Sequence, residues 1–255
     1  MQLLSLTLPV LALWLALAWT PLSQAEPAPP TPPNTLTEAE RAAGWELLFD
    51  GKTTKGWRNF GKETIGSDWK VIDGALTLDD ANRVVNDQGH GHIPDGGDII
   101  TTRQFENFEL MLEWKISPCG NSGIMFNVLE GDEYRTPWQT GPELQVLDNT
   151  CHPDAKIHTH RAGDLYDLIA CSEETVKPAG EWNEVRLRID DGHLQKWLNG
   201  TLVVETQLWD ENWDKMVAES KFKDMADFGT ARRGHISLQD HSDRVAFRNI
   251  KVREF

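Results

Sequence analysis

No charged side chain occurs between Met1 and Ala25, and the stretch from Leu3 to Leu22 is almost wholly apolar. Such a run ending in Ser23-Gln24-Ala25, a small-x-small pattern, reads as a secretory signal peptide over residues 1–25, cut before Glu26. The competing reading is a retained membrane anchor, because the run is about long enough to span a bilayer. Pro9 and Pro21 interrupt it and a processing site follows, which favours cleavage. The expected product is periplasmic or secreted, with no stable membrane insertion after cleavage. With no cysteine near the cut, a lipid anchor there is not expected.

Cysteine is scarce throughout. The three present, Cys119, Cys151 and Cys171, cannot all pair within one chain, so at least one is free or bonded elsewhere. In an oxidising compartment Cys151 with Cys171 is the expected bond, closing one long loop. Positive charge is scarce as well. Lysine and arginine number 25 against 40 aspartates and glutamates, a formal net charge of −15. A phosphate backbone demands a basic face, so no nucleic-acid partner is expected and neutral small-molecule or oligosaccharide substrates fit better. Familiar catalytic patterns are missing too: no G-x-S-x-G, no His-Glu-x-x-His, no glycine-rich phosphate loop and no zinc-finger spacing. There is no internal repeat and no heptad run.

Prolines crowd residues 26–35, a stiff linker, and the folded unit is expected over residues 36–255. Short alternating segments then follow one another. In Phe108-Glu109-Leu110-Met111-Leu112-Glu113-Trp114-Lys115-Ile116 the residues Phe108, Leu110, Leu112, Trp114 and Ile116 share one face, with Glu113 and Lys115 on the other. Asp73-Gly74 and Asn199-Gly200 each join two such segments, the hairpin signal. One helix stands out, Trp209 to Ser220, with Trp209, Trp213, Met216 and Val217 on a stripe. Many strands and one short helix make an all-β sandwich of two antiparallel sheets.

Chemistry concentrates between Trp138 and Asp167. Glu143 and Gln145 alternate with Leu144 and Val146, so a strand aims the polar pair at one face and the apolar pair at the core. Asp148, His152, His158, His160, Arg161, Asp164 and Tyr166 follow in one loop-rich stretch, where function is more common than in packed elements. Glu143 is the leading candidate base, with His152, His158, His160 and Lys115 behind it. Candidate sugar contacts are Glu113, Asn121, Ser122, Gln145, Asp148, Arg161, Asp164, Tyr166, Gln239 and His241, with Trp138 as a stacking platform. No cofactor is required by any motif, although His152, His158, His160 and Asp164 are of the types that ligate a divalent metal. Most of the 11 tryptophans, Trp114, Trp182 and Trp197 among them, sit on strand patterns and are expected in the core.

Several segments together carry a resemblance: Phe49-Asp50-Gly51-Lys52, Gly120-Asn121-Ser122-Gly123-Ile124, Gly141-Pro142-Glu143-Leu144-Gln145-Val146-Leu147-Asp148-Asn149, Gly163-Asp164-Leu165-Tyr166-Asp167, Trp197-Leu198-Asn199-Gly200 and Leu238-Gln239-Asp240-His241. They resemble the bacterial 3-keto-disaccharide hydrolase family, also described as a 3-keto-glucoside 1,2-lyase and 3-keto-2-hydroxy-glucal hydratase domain. The resemblance implies a concanavalin A-like jelly roll with a ligand cleft on one sheet. It also implies a glycoside already oxidised at C3 by a separate 3-dehydrogenase, cleaved by C2 proton abstraction and elimination at C1, or hydrated. A non-catalytic carbohydrate-binding module of the same fold is the alternative. An ordinary endoglucanase is disfavoured, since the Glu-x-Asp-x-x-Glu strand usual in that fold is absent.

Overall fold

The computed structural model describes residues 31–88 and 91–255. The expected signal peptide and residues 26–30 of the linker lie outside the described residues. Asn34, further along the proline-rich stretch, is tied to the folded unit: it exchanges hydrogen bonds with Asn249 and donates to the Gly74 carbonyl.

Two antiparallel sheets form the sandwich. The larger runs β13 (Thr201–Gln207), β12 (His193–Leu198), β11 (Asn183–Asp190), β8 (Phe108–Ile116), β15 (Val245–Glu254), β4 (Ala75–Leu78) and β3 (Trp69–Ile72), with β1 (Glu46–Leu47) also on β15. The smaller runs β10 (Glu143–Leu147), β9 (Asn121–Val128), β14 (His235–Leu238), β7 (Ile99–Thr101) and β2 (Trp57–Asn59). A separate hairpin joins β5 (Val84–Val85) to β6 (Gly91–His92). At Asn199-Gly200 both residues have positive φ, 50° and 86°, the backbone that a two-residue hairpin turn requires and that Asn and Gly tolerate.

The alternation read from the sequence sets the core. Leu112, Trp114, Phe126, Val146, Leu187 and Leu238 are all buried between the sheets. Each such side chain contributes roughly 1.5–3 kcal/mol by leaving water. Exposed ion pairs contribute about 0–1 kcal/mol, so this interior, and not the charged surface, holds the sandwich together.

The outer face of the larger sheet differs from expectation. Trp197 and Trp182 point outward, half-buried beneath cations, Arg186 over Trp197 and both Lys115 and Arg248 over Trp182. Trp197 alternates with Leu194, Lys196 and Leu198, which turn inward, and so takes the outer face opposite Arg186, while Lys196 is wholly buried and donates to the Gly163 carbonyl.

There are two α-helices among the described residues. α1 (Glu38–Ala42), too short to show a periodic stripe, is held by a capping box between Thr37 and Glu40. α2 (Glu211–Glu219) is the expected helix; Asp210 caps it by accepting from the Trp213 N–H at 2.7 Å, and Trp213 is its buried anchor.

Candidate active site

The site grows from the pairing of β9 with β10 on the outer face of the smaller sheet. Gln145 stands opposite Gly123, Glu143 opposite Met125 and Leu147 opposite Asn121. Because side chains alternate, Glu143, Gln145 and Asn121 share the face turned away from Leu144, Val146 and Ile124. Gln239 joins them from beyond β14, its N–H donating to the Gly123 carbonyl at 2.9 Å. Gly123, having no side chain, lets the Glu143 carboxylate cross over the strand.

Loops build walls over this floor. Residues 163–166 lie along the free edge of β10, with the Tyr166 N–H donating to the Glu143 carbonyl at 2.9 Å, which sets the phenol beside Glu143. Tyr166 is backed by the His160 ring at 4.1 Å, and His160 pairs with Asp167 at 2.9 Å. The other Asp167 oxygen accepts the Lys221 N–H at 2.7 Å, and the Lys221 ammonium sits 4.0 Å from the centre of the Tyr166 ring. Asp154 comes from a short turn of 3-10 helix, Pro153–Lys156, and Trp138 from another, Pro137–Gln139. Together with His241 these residues enclose a cavity of about 210 Å³.

Burial dominates its electrostatics. Glu143 is 7% exposed, and among the described residues no donor reaches its carboxylate. Burial pushes its pKa up to about 8; Lys221 pulls it down, and the charges of Asp98 and Asp154 push it further up. Burial lowers the Lys221 ammonium below its ordinary value, against the pull of Glu143, Asp167 and Asp154. The Tyr166 phenol is raised, first by burial and then by the neighbouring acids. Three buried amide atoms of residues lining the cavity, Asn121 Oδ1, Gln145 Nε2 and Gln239 Oε1, have no partner among the described residues. Unmatched buried polar atoms are costly, and three converging on one cavity mark a place where a hydroxyl- or carbonyl-bearing ligand completes the hydrogen bonding.

Residues 44–253 match the family described as the 3-keto-alpha-glucoside-1,2-lyase-like domain. The chain belongs to that family. A 3-keto-disaccharide hydrolase of Bacteroides thetaiotaomicron is 37% identical over 233 residues, covering 83% of this chain and 79% of the relative. A solved structure from Parabacteroides distasonis, provisionally described as a glycosyl hydrolase, is 31% identical with a TM-score of 0.77, covering 88% of this chain and 100% of that one. A Bacillus subtilis protein with a galectin-like fold, 16% identical with a TM-score of 0.52 over 82% of this chain and 94% of that one, shares the fold alone. The lyase-like family and the concanavalin A-like sandwich are thus those the sequence motifs resemble.

Within this lyase-like domain, Glu143, Asn121, Trp138, Gln145, Tyr166, Gln239 and His241 line one cavity. Other candidates lie elsewhere. Glu113 and Lys115 face away from it on the outer side of the larger sheet, where Glu113 accepts from Arg248 and Asn249 and Lys115 caps Trp182. Alternation tells which face of a strand is polar, but not on which sheet that face lies. Ser122 donates to the Gln239 carbonyl at 2.8 Å, and Asp148 accepts the N–H groups of Cys119 and Thr150. Asp164 accepts the N–H groups of Arg161 and Cys171. Arg161 pairs with Glu174 at 3.3 Å and His158 is exposed. His160 supports Tyr166 from behind, and His152 lines the adjoining cavity. Asp154 and Lys221 were not singled out by sequence. Asp154 sits within the polar loop, but Lys221 follows α2 with no pattern to mark it.

The expected Cys151–Cys171 bond is replaced by Cys119–Cys151. Pairing Leu147 with Asn121 brings the turn before β9 against the turn after β10, whereas Cys171 packs against Gly163 as a free thiol. His152, His158, His160 and Asp164 do not gather. Among the described residues the one group of three potential metal ligands within 4.8 Å is Cys119, Asp148 and Cys151, and its two sulfurs are bonded to each other.

Proposed function

We propose that this chain is an exported hydrolase of 3-keto-α-glucosides that works by elimination and rehydration, with Glu143 as its base. The observation that carries the reading is the Glu143 carboxyl: buried, without a hydrogen-bond donor among the described residues, raised to about 8, and sharing with Lys221 a cavity with unmatched amides. A base of that strength at neutral pH suits removal of a carbon-bound proton acidified by a ketone. The name of the Bacteroides thetaiotaomicron relative supports the substrate class.

A C3 ketone acidifies the C2 hydrogen. Glu143 takes that proton, and the C2–H electrons form a C2=C3 enolate whose oxygen charge is met by the Lys221 ammonium and the Tyr166 hydroxyl. Collapse of the enolate restores the C3 carbonyl, makes C1=C2 and breaks the C1–O bond, and His241 gives the departing oxygen its proton. Water adds to C1 and C2 takes a proton back, so the net change is hydrolysis. No oxocarbenium ion forms, which is why two opposed carboxylates are not needed. A separate 3-dehydrogenase supplies the ketone. A non-catalytic module would not need a buried acid of this kind, and the Cys119–Cys151 bond supports export to an oxidising compartment.

Incubating the protein with methyl 3-keto-α-glucoside and following the ultraviolet absorbance of the enone tests the reading. Transient absorbance and release of methanol are expected. Binding without turnover would point to the carbohydrate-binding module instead.

A further inference from the structure

We propose that the cavity adjoining the catalytic one, on the far side of His241, is the subsite for the leaving group, and that Arg83 and His152 fit it to a polyhydroxylated one, a second sugar. This rests on the reading of Glu143 as the base. The catalytic cavity, at about 210 Å³, has room for about one pyranose ring, and a disaccharide needs a second space. The neighbouring cavity, about 630 Å³, is lined by Arg83, Cys119, His152, Asp240, His241 and Asp243, among others.

Three segments of chain step from one cavity into the other. Cys119, His152 and Asp240 line the larger, while Asn121, Asp154 and Gln239 line the catalytic one, and His241 lines both. A glycosidic bond beside His241 therefore leaves one ring by Glu143 and the other by His152. The Cys119–Cys151 bond ties two of these segments together. A further cavity of about 320 Å³ shares no lining residue with the catalytic one, so it is the poorer choice.

The wall chemistry selects the leaving group. Asp240 already accepts from Gly97 and Ser242, and Asp243 accepts from Asn121 and pairs with Arg83 at 3.4 Å, so these charges are balanced within the protein. His152 accepts the Asp154 N–H on Nδ1, and its other ring nitrogen has no partner among the described residues. Among those residues no Trp, Tyr or Phe lines this cavity, so an aryl group finds no stacking surface. Imidazole and guanidinium groups suit hydroxyls.

Kinetics on two ketones test this: 3-keto-trehalose, which releases glucose, and methyl 3-keto-α-glucoside, which releases methanol. Arg83→Ala is expected to lower kcat/KM for 3-keto-trehalose by about 10-fold, the loss of one or two polar contacts, while changing the methyl glycoside less than about 2-fold. Equal losses on both substrates, or a trehalose-selective loss from Arg135→Ala in the further cavity instead, would overturn the assignment. If neither ketone is turned over, the reading of Glu143 fails separately, and calorimetric binding of unoxidised trehalose decides the subsite. Binding weakened by Arg83→Ala supports it, and no binding, or binding indifferent to Arg83, rejects it.

Discussion

The Glu143 carboxylate lies across Gly123, so close that a Cβ on residue 123 would collide with Glu143 Oε1 and meet its Cγ at 2.8 Å. A methyl group there must push the carboxylate off the strand and into the cavity. Gly123→Ala is therefore expected to lower kcat by about 100-fold, the usual worth of a placed general base, with the melting temperature little changed because the displaced chain has open space. A fully active Gly123→Ala enzyme would show that the position of the carboxylate does not matter.

Burial of Glu143 makes it a source of instability as well as of basicity. Its ordinary value is near 4.5 and its folded value about 8, so between those pH values the unfolded chain has released a proton that the folded chain keeps. Stability contributed by the neutral carboxyl is complete below 4.5 and is lost as pH rises toward 8. Glu143→Gln removes this loss. Denaturant titration should find the variant more stable than the natural protein at pH 8, by on the order of 4 kcal/mol, and indistinguishable at pH 4.

Lys221 opposes the rise in Glu143. Replacing it with Met should shift the acidic limb of the kcat/KM profile above its expected midpoint near 8, because the carboxylate loses its nearest cation. It should also lower kcat by about 100-fold, since the enolate loses its counter-charge. An unmoved limb would show that the ammonium does not act on Glu143.

The cysteines give a check independent of activity. Thiol counting on unfolded, unreduced protein should find one free thiol, Cys171, with Cys119 and Cys151 bonded across 32 residues. Replacing both bonded cysteines with Ser should cost about 4 kcal/mol, the loop-closure effect for that length.

Strand alternation made much of the floor of the site legible. Leu144 and Val146 turned inward as their pattern requires, and Glu143 and Gln145 outward with them. Sheet membership was not legible, because Glu113 and Lys115 alternate just as cleanly on a strand whose polar face looks the other way. Lys221 was hidden because only the Asp167 carboxylate, 54 residues earlier, fixes its place over Tyr166. The cysteine pairing depended on the β9–β10 register, which two short polar turns do not disclose. Trp182 and Trp197 misled for a related reason. An aromatic side chain on a strand is equally satisfied by the core or by a cation on the outer face.

The claim on which the mechanism stands is that Glu143 removes the proton from C2, and deuterium at that carbon tests it most directly. Single-turnover cleavage of 3-keto-trehalose carrying deuterium at C2 should be several-fold slower than cleavage of the ordinary substrate, with Glu143→Gln slowing both by about 100-fold or more. Equal rates for the two substrates, or full activity in Glu143→Gln, would contradict it.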